Sequence, residues 1–333
     1  MTYVSFPGLG IEPFHMERIA FSLFGLEVNW YGLIIVCGMI LAVAYALWHA
    51  KTEKVKSDDI IDLALVLIIF GVIGARLYYV IMEFDSYLVT SGTFLQNLGK
   101  TLYNIIAVWN GGLAIYGGII AGFIGGLVVA KVKRIRFPVI ADIAGPAVMI
   151  GQIVGRWGNF VNVEAHGGPT ALPWRMGILT SYNGGESWAS EIYVHPTFLY
   201  ESLWNLLGLI LITALYKKKK FHGQMFIMYM TWYGFGRMFI EGLRTDSLYI
   251  GDIRVSQLVA ALTFLLGVVL MIINLRRACL KQKAEPKIVC AACAPGDPAD
   301  AARTSTEVPL TEEVNPKTEN NCSNKENENG KIN

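Results

Sequence analysis

The chain has 333 residues, 53% of them hydrophobic and 16% charged, with a formal net charge of +2. An ordinary soluble domain carries about 25% charged residues, and here the mean hydropathy is +0.44. These values exclude a soluble globular protein. The small positive excess is sorted by loop rather than pooled on one surface, so it points to no nucleic-acid partner.

The N-terminal stretch MTYVSFPGLGIEPFHMERIA lacks the basic and apolar regions of a cleavable signal peptide. Seven apolar runs follow, at about 28–48, 60–82, 108–130, 138–155, 197–216, 222–240 and 253–275. Each is close to the roughly 20 residues that a helix needs to cross a bilayer. Only helices and closed barrels satisfy the backbone in lipid. The expected fold is therefore an all-α polytopic membrane protein of seven transmembrane helices with polar outer-facing loops. The fourth run is the shortest and most polar, with Asp142, Gly145, Pro146, Gly151 and Gln152, and is expected to be buried among the others. No internal repeat is apparent.

Residues 1–283 read as one seven-helix membrane catalytic domain. Residues 284–333 turn rich in Asn, Glu, Lys, Pro and Ala, which predicts a disordered cytoplasmic tail. Four of the five cysteines, Cys279, Cys290, Cys293 and Cys322, lie in or near that tail. In a reducing compartment they form no disulfides, and the lone Cys290–Cys293 CxxC pair reads as incidental. His15, His49, His166, His195 and His222 have no ligand-like spacing, so no metal and no organic cofactor is implied.

Orientation follows from Lys and Arg. The first connection carries Lys51, Lys54 and Lys56, the third Lys131, Lys133, Arg134 and Arg136, and the fifth the run 217–220. Arg276, Arg277, Lys281 and Lys283 follow the last run, whereas the second connection holds only Lys100. This alternation places the N-terminus outside and the C-terminus in the cytoplasm.

Charged side chains within spans are costly and are functional candidates by default. With that orientation, Arg76 lies in the outer third of the second span and Arg156 at the outer end of the fourth. Tyr233, Arg237, Glu241 and Arg244 fall on one face of the sixth, at about 100° per residue. Tyr116 stands in the outer half of the third, His195 opens the fifth, and Tyr31 is near the outer end of the first. Several guanidinium forks among Tyr, Asn, Glu and His suit a phosphate, and a phospholipid headgroup is the nearest one.

The segment GRWGNFVNVEAHG, residues 155–167, resembles the signature of the prolipoprotein diacylglyceryl transferase family, Gly-Arg-x-Gly/Ala-Asn-Phe-x-Asn-x-Glu-x-x-Gly. Gly155, Arg156, Gly158, Asn159, Phe160, Asn162, Glu164 and Gly167 fill every specified position. NWYGLII, GARLYYV, WNGGLAIYGG, HPTFLYE and YGFGRMFIEGLR follow in the family's order, from residue 29 to residue 244. The resemblance implies seven spans in the bacterial cytoplasmic membrane and an active site facing the outer leaflet. It also implies transfer of the diacylglyceryl group of phosphatidylglycerol to the lipobox cysteine of a prolipoprotein signal peptide, with loss of glycerol phosphate.

On that basis Tyr116, Arg156, Arg237 and His195 are the expected catalytic residues. Arg156, Asn159, Glu164, Gly167, Tyr31, Arg76, Tyr233, Glu241 and Arg244 are expected to bind phosphatidylglycerol. One departure matters: some relatives have His-Gly-Gly where this chain has Tyr116-Gly117-Gly118. A phenol of ordinary pKa about 10 is a poor base at neutral pH, so Tyr116 can instead orient substrate while His195 or His166 takes the proton. The alternative to an enzyme is a membrane lipid transporter or flippase with an outer-leaflet phosphate site.

Overall fold

The computed structural model describes residues 2–23, 25–87, 94–108, 111–181, 188–245 and 249–284. The expected polar tail lies outside the described residues. Among them, six helices are long and apolar enough to cross a membrane. They are α1 (Trp30–Thr52), α2 (Ser57–Met82), α5 (Ile115–Val132), α6 (Phe137–Asn162), α7 (Thr197–Leu215) and α9 (Val255–Ala284). A further helix, α8 (Gln224–Leu243), occupies the sixth expected span. It has the length to span but not the apolarity, because Gln, Arg, Glu, Tyr and Gly interrupt its Met and Phe residues. Two shorter helices, α3 (Phe84–Tyr87) and α4 (Phe94–Ile106), lie between α2 and α5.

The fold is not all-α. Thr2–Phe6 (β1), Ile11–His15 (β2), Met176–Ser181 (β5) and Trp188–Val194 (β6) form an antiparallel sheet in the order β2-β1-β5-β6. Ile19–Leu23 (β3) pairs with Leu26–Asn29 (β4), and Tyr249–Ile250 (β7) with Ile253–Arg254 (β8). The central pairing joins residues remote in sequence, with Tyr3 opposite Leu179 and Val4 opposite Ile178. Val4, Met176, Ile178 and Val194 form its apolar face with Phe198 of α7, and Phe160 and Val163 pack against them. The sheet thus sits over the end of α6 and the start of α7.

The third expected span begins late. Gly111 and Gly112 adopt left-handed φ of 84° and 75°, which L-residues with a Cβ rarely accept, and α5 starts only at Ile115. The fourth runs longer than expected, with Pro138 in its first turn where the missing N–H costs nothing. Half of its most apolar window is buried, more than in any of the other five spans.

The basic connections gather at one end of the bundle. Lys219, after α7, pairs with Glu53 after α1 and with Asp142 of α6, the latter at 3.1 Å. Asp142 is fully buried and accepts the N–H groups of Gly223, Met225 and Phe226 at 2.8, 2.8 and 3.2 Å. It caps α8 from a neighbouring helix and satisfies donors that otherwise have no partner. Lys133 bridges Asp59 and Asp62 of α2 at 3.0 and 2.5 Å. The hydrogen bonds to Asp62 and Asp59 push its ammonium above the ordinary lysine value.

Candidate active site

The opposite end of the bundle carries the signature. α6 continues through it to Asn162, so Arg156 is inside the helix rather than at its end. Its guanidinium donates to Glu201 Oε1 of α7 at 2.6 Å and to Asn159 Oδ1, one turn on, at 3.2 Å. The other oxygen of Glu201 accepts from Arg237 of α8 at 2.6 Å. Arg237 also reaches Glu241 Oε2, one turn further along α8, at 2.6 Å. Asn159 donates in turn to Glu164 Oε1 at 2.8 Å. One connected network therefore runs Glu241–Arg237–Glu201–Arg156–Asn159–Glu164.

Glu201 was not anticipated from sequence. It is 2% exposed, one turn inside α7, and each of its oxygens holds a different arginine. A buried carboxylate shared by two guanidiniums fixes both in direction and offsets their charge. Removing one member leaves an uncompensated buried charge. The signal is in the sequence, since a carboxylate within an apolar run is a functional candidate, although His195 is the residue of HPTFLYE that the sequence pattern singles out.

Helix packing sets this geometry. Trp204 of α7 and Trp232 of α8 stack with ring centroids 4.3 Å apart. Each indole N–H donates to the other's carbonyl, at 3.0 and 2.9 Å. Gly208 and Gly236 make room, because a Cβ at either would stand within 2.3 Å of an indole atom. Ser202 donates to the Ile153 carbonyl at 3.1 Å and ties α7 to α6 one turn from Arg156.

The chain after α6 is stitched to the same helices. Gly167 N–H donates to the His195 carbonyl at 2.9 Å and Gly168 N–H to the Leu243 carbonyl at 2.8 Å. A Cβ at Gly167 would meet His195 Cβ at 2.6 Å. On either side of Glu164, Val163 and Ala165 hold φ of 54° and 57°. That is an uncommon conformation, above all for a β-branched residue, so the surroundings hold the turn that carries Glu164. Tyr31, in the first turn of α1, lies against Gly158, where a Cβ would be 2.8 Å from the ring.

The remaining expected residues are placed as follows. Tyr233 lies one turn before Arg237 on α8 and faces the charges of Glu201, Arg237 and Arg156. His195 Nδ1 is 3.3 Å from the Tyr200 hydroxyl, and its backbone holds Gly167 and Gly168. Arg244 is the residue at which α8 ends, and its backbone bridges Gly167, so it leaves the helical face predicted for it. Tyr116, in the first turn of α5, is 3.4 Å from Ser256 Oγ of α9 and, among the described residues, makes no hydrogen bond to the arginine network. Arg76 is not brought to the network. It is buried, and its guanidinium donates to the carbonyls of Asn104, Ile105, Ala107, Gly111 and Gly112.

Among the described residues no group of three or more His, Cys, Asp or Glu could hold a metal ion. Two arginines, spaced by one buried carboxylate and anchored across three helices, present planar N–H donors in fixed directions. The fold and this site define a polytopic membrane protein with an arginine–carboxylate network near one end of its bundle.

The sequence profile for prolipoprotein diacylglyceryl transferase matches residues 18–273. A protein from Finegoldia magna named phosphatidylglycerol–prolipoprotein diacylglyceryl transferase is 46% identical over 258 residues, covering 77% of this chain and 95% of the relative. Relatives of the same name from Listeria welshimeri and Clostridioides difficile are each 41% identical, covering 80% and 76% of this chain and 91% and 94% of their own lengths. This chain belongs to the prolipoprotein diacylglyceryl transferase family.

Proposed function

We propose that this protein transfers the diacylglyceryl group of phosphatidylglycerol to the lipobox cysteine of a prolipoprotein signal peptide, the first step of bacterial lipoprotein maturation. The observation that carries the residue assignment is the buried Arg156–Glu201–Arg237 bridge. The relatives are named for these two substrates, and no comparison favours a transporter.

In this reading α8 also crosses the membrane and brings the number of spans to seven, its polar residues turned toward α6, α7 and α9. The N-terminus, the sheet and the arginine network lie on the outer side of the cytoplasmic membrane, and the basic connections lie inside. The phosphate of phosphatidylglycerol takes the N–H groups of Arg156 and Arg237 that Glu201, Asn159 and Glu241 leave available. Asn159, Glu164, Gly167, Tyr31, Tyr233, Glu241 and Arg244 shape the cradle around the headgroup.

The peptide thiol gives up its proton, and sulfur attacks the glyceryl carbon that bears the phosphate ester. A C–S bond forms, the C–O bond breaks, and glycerol phosphate leaves with the bonding pair. Charge grows on the departing oxygen, where fixed guanidinium donors stabilise the transition state more than the ground state. Tyr116 orients the substrate, and His195 or His166 accepts the thiol proton. No step calls on a cofactor.

The test is incubation of purified protein with phosphatidylglycerol vesicles and a lipobox peptide. Release of glycerol phosphate with the cysteine peptide, and none with its Cys-to-Ser variant, is the expected result. Peptide-independent release, or none from folded protein, would contradict the proposal.

A further inference from the structure

Residues 32–76 align without a gap onto residues 112–156. Gly32 falls on Gly112, Gly38 on Gly118, Lys51 on Lys131, Asp62 on Asp142, Gly71 on Gly151 and Arg76 on Arg156. The backbone repeats as well. Lys54 and Arg134 are both left-handed, with φ of 57° and 55°. Lys54 and Val55 N–H donate to Lys51 and Ala50, just as Arg134 and Ile135 donate to Lys131 and Ala130. Lys56 and Arg136 then begin α2 and α6 from extended conformations.

The packing obeys the same relation. α1 packs most closely on α6, and α2 on α5, two interfaces that exchange when the hairpins α1–α2 and α5–α6 are interchanged. Their shared core pairs Ala50 with Ala130, Ile60 with Ile140 and Leu63 with Ile143. At the basic end, Lys133 meets Asp62, while the equivalent positions Glu53 and Asp142 are bridged by Lys219. No repeat was apparent from the sequence because most paired positions differ. The shared cap geometry brings it out.

We infer that the two hairpins are copies of one unit, and that Arg76, the counterpart of Arg156, is a positioning residue for Tyr116 rather than a ligand of the lipid phosphate. Each arginine faces the start of the other copy's first helix, and the difference lies in what stands there. Beside Arg156 is Tyr31, against Gly158, and among the described residues its guanidinium hydrogen-bonds to Asn159 and Glu201 alone. Beside Arg76 is the equivalent Gly111, whose carbonyl it binds together with four others. A guanidinium has five N–H donors, and Arg76 spends them on carbonyls of the protein itself.

Three of those carbonyls close the C-terminal end of α4, where a cation is favoured. The other two belong to Gly111 and Gly112, and a Cβ at Gly112 would come within 2.6 Å of the Arg76 guanidinium. The Ala114 N–H donates to the Ala75 carbonyl at 3.0 Å, and α5 with Tyr116 begins immediately after. Arg76 therefore sets the path by which the chain reaches Tyr116. The inference rests on Tyr116 belonging to the site, as proposed above.

The test is a double-mutant cycle of Arg76→Lys and Tyr116→Phe, with kcat and KM for phosphatidylglycerol measured on full-length protein of verified thermal stability. Arg76→Lys is expected to lower kcat several-fold, no more than Tyr116→Phe itself, with KM changed less than about twofold. In the Tyr116→Phe background it should cost less than about twofold more, because residues acting through one group are not additive. A large rise in KM at retained kcat would make Arg76 a phosphate ligand, and losses that multiply would uncouple it from Tyr116. Either overturns the inference, as does wild-type kcat. Should Arg76→Lys fail to fold, Gly112→Ala displaces the guanidinium while keeping it, and the same cycle applies. A fully active Tyr116→Phe single variant would remove Tyr116 from the site and the inference with it, leaving the Arg156–Glu201–Arg237 assignment standing.

Discussion

Arg156 and Glu201 meet across α6 and α7 at 2.6 Å, and the same carboxylate holds Arg237 of α8 at the same distance. A single buried acid thus sets the separation and direction of two cations. Glu201→Gln keeps the size but removes the charge and turns an amide N–H toward one arginine. Losing one partner of a buried ion pair costs about 3–5 kcal/mol. The variant is expected to melt well below the wild type and to lose most transfer activity. An unchanged melting temperature would show that the bridge does not form.

Tyr116→Phe is expected to fold normally and to transfer more slowly. A hydroxyl hydrogen bond is worth about 1 kcal/mol, so a loss of several-fold in kcat is the scale to look for. Wild-type kinetics in that variant would leave the hydroxyl without a role.

Gly167→Ala places a Cβ 2.6 Å from His195 Cβ and 3.1 Å from the Leu243 carbonyl. The turn has to open between α7 and α8, at a cost of about 1–3 kcal/mol for such overpacking. Reduced thermal stability together with reduced activity is expected. Unaltered values for both would mean that this seam is slack.

A chain ending at residue 284 is expected to insert and transfer like the full-length protein, because the arginine network and the bundle lie within residues 2–284. Activity measured at equal membrane abundance checks this. An inserted but inactive truncation would give the tail a part in catalysis.

The helical frame was legible because apolar runs of span length are rare outside membranes, and the signature marked the end of α6 that carries Arg156. The sheet was not. Its strands are short, and its central pair joins the N-terminus to the segment between α6 and α7, a contact no local pattern announces. Nor could spacing separate Arg76 from Arg156. Both follow a small residue at the same level of equivalent helices, and only the neighbour across the interface, Gly111 or Tyr31, decides which guanidinium is consumed by backbone. Glu201 shows the converse: its position was visible, while the two arginines it joins come from helices on either side of it in sequence.

The guanidinium fork of Arg156 is the centre of the proposed site. Lys at this position keeps the positive charge but loses the planar pair of donors that can hold Asn159, Glu201 and a phosphate together. The direct measurement is the kcat/KM of Arg156→Lys for phosphatidylglycerol and a lipobox peptide, on protein shown to be inserted and folded. A loss of about a hundredfold, near 2.7 kcal/mol of transition-state stabilisation, is predicted. Transfer at close to the wild-type rate would show that Arg156 supplies only charge, and would contradict the proposed site.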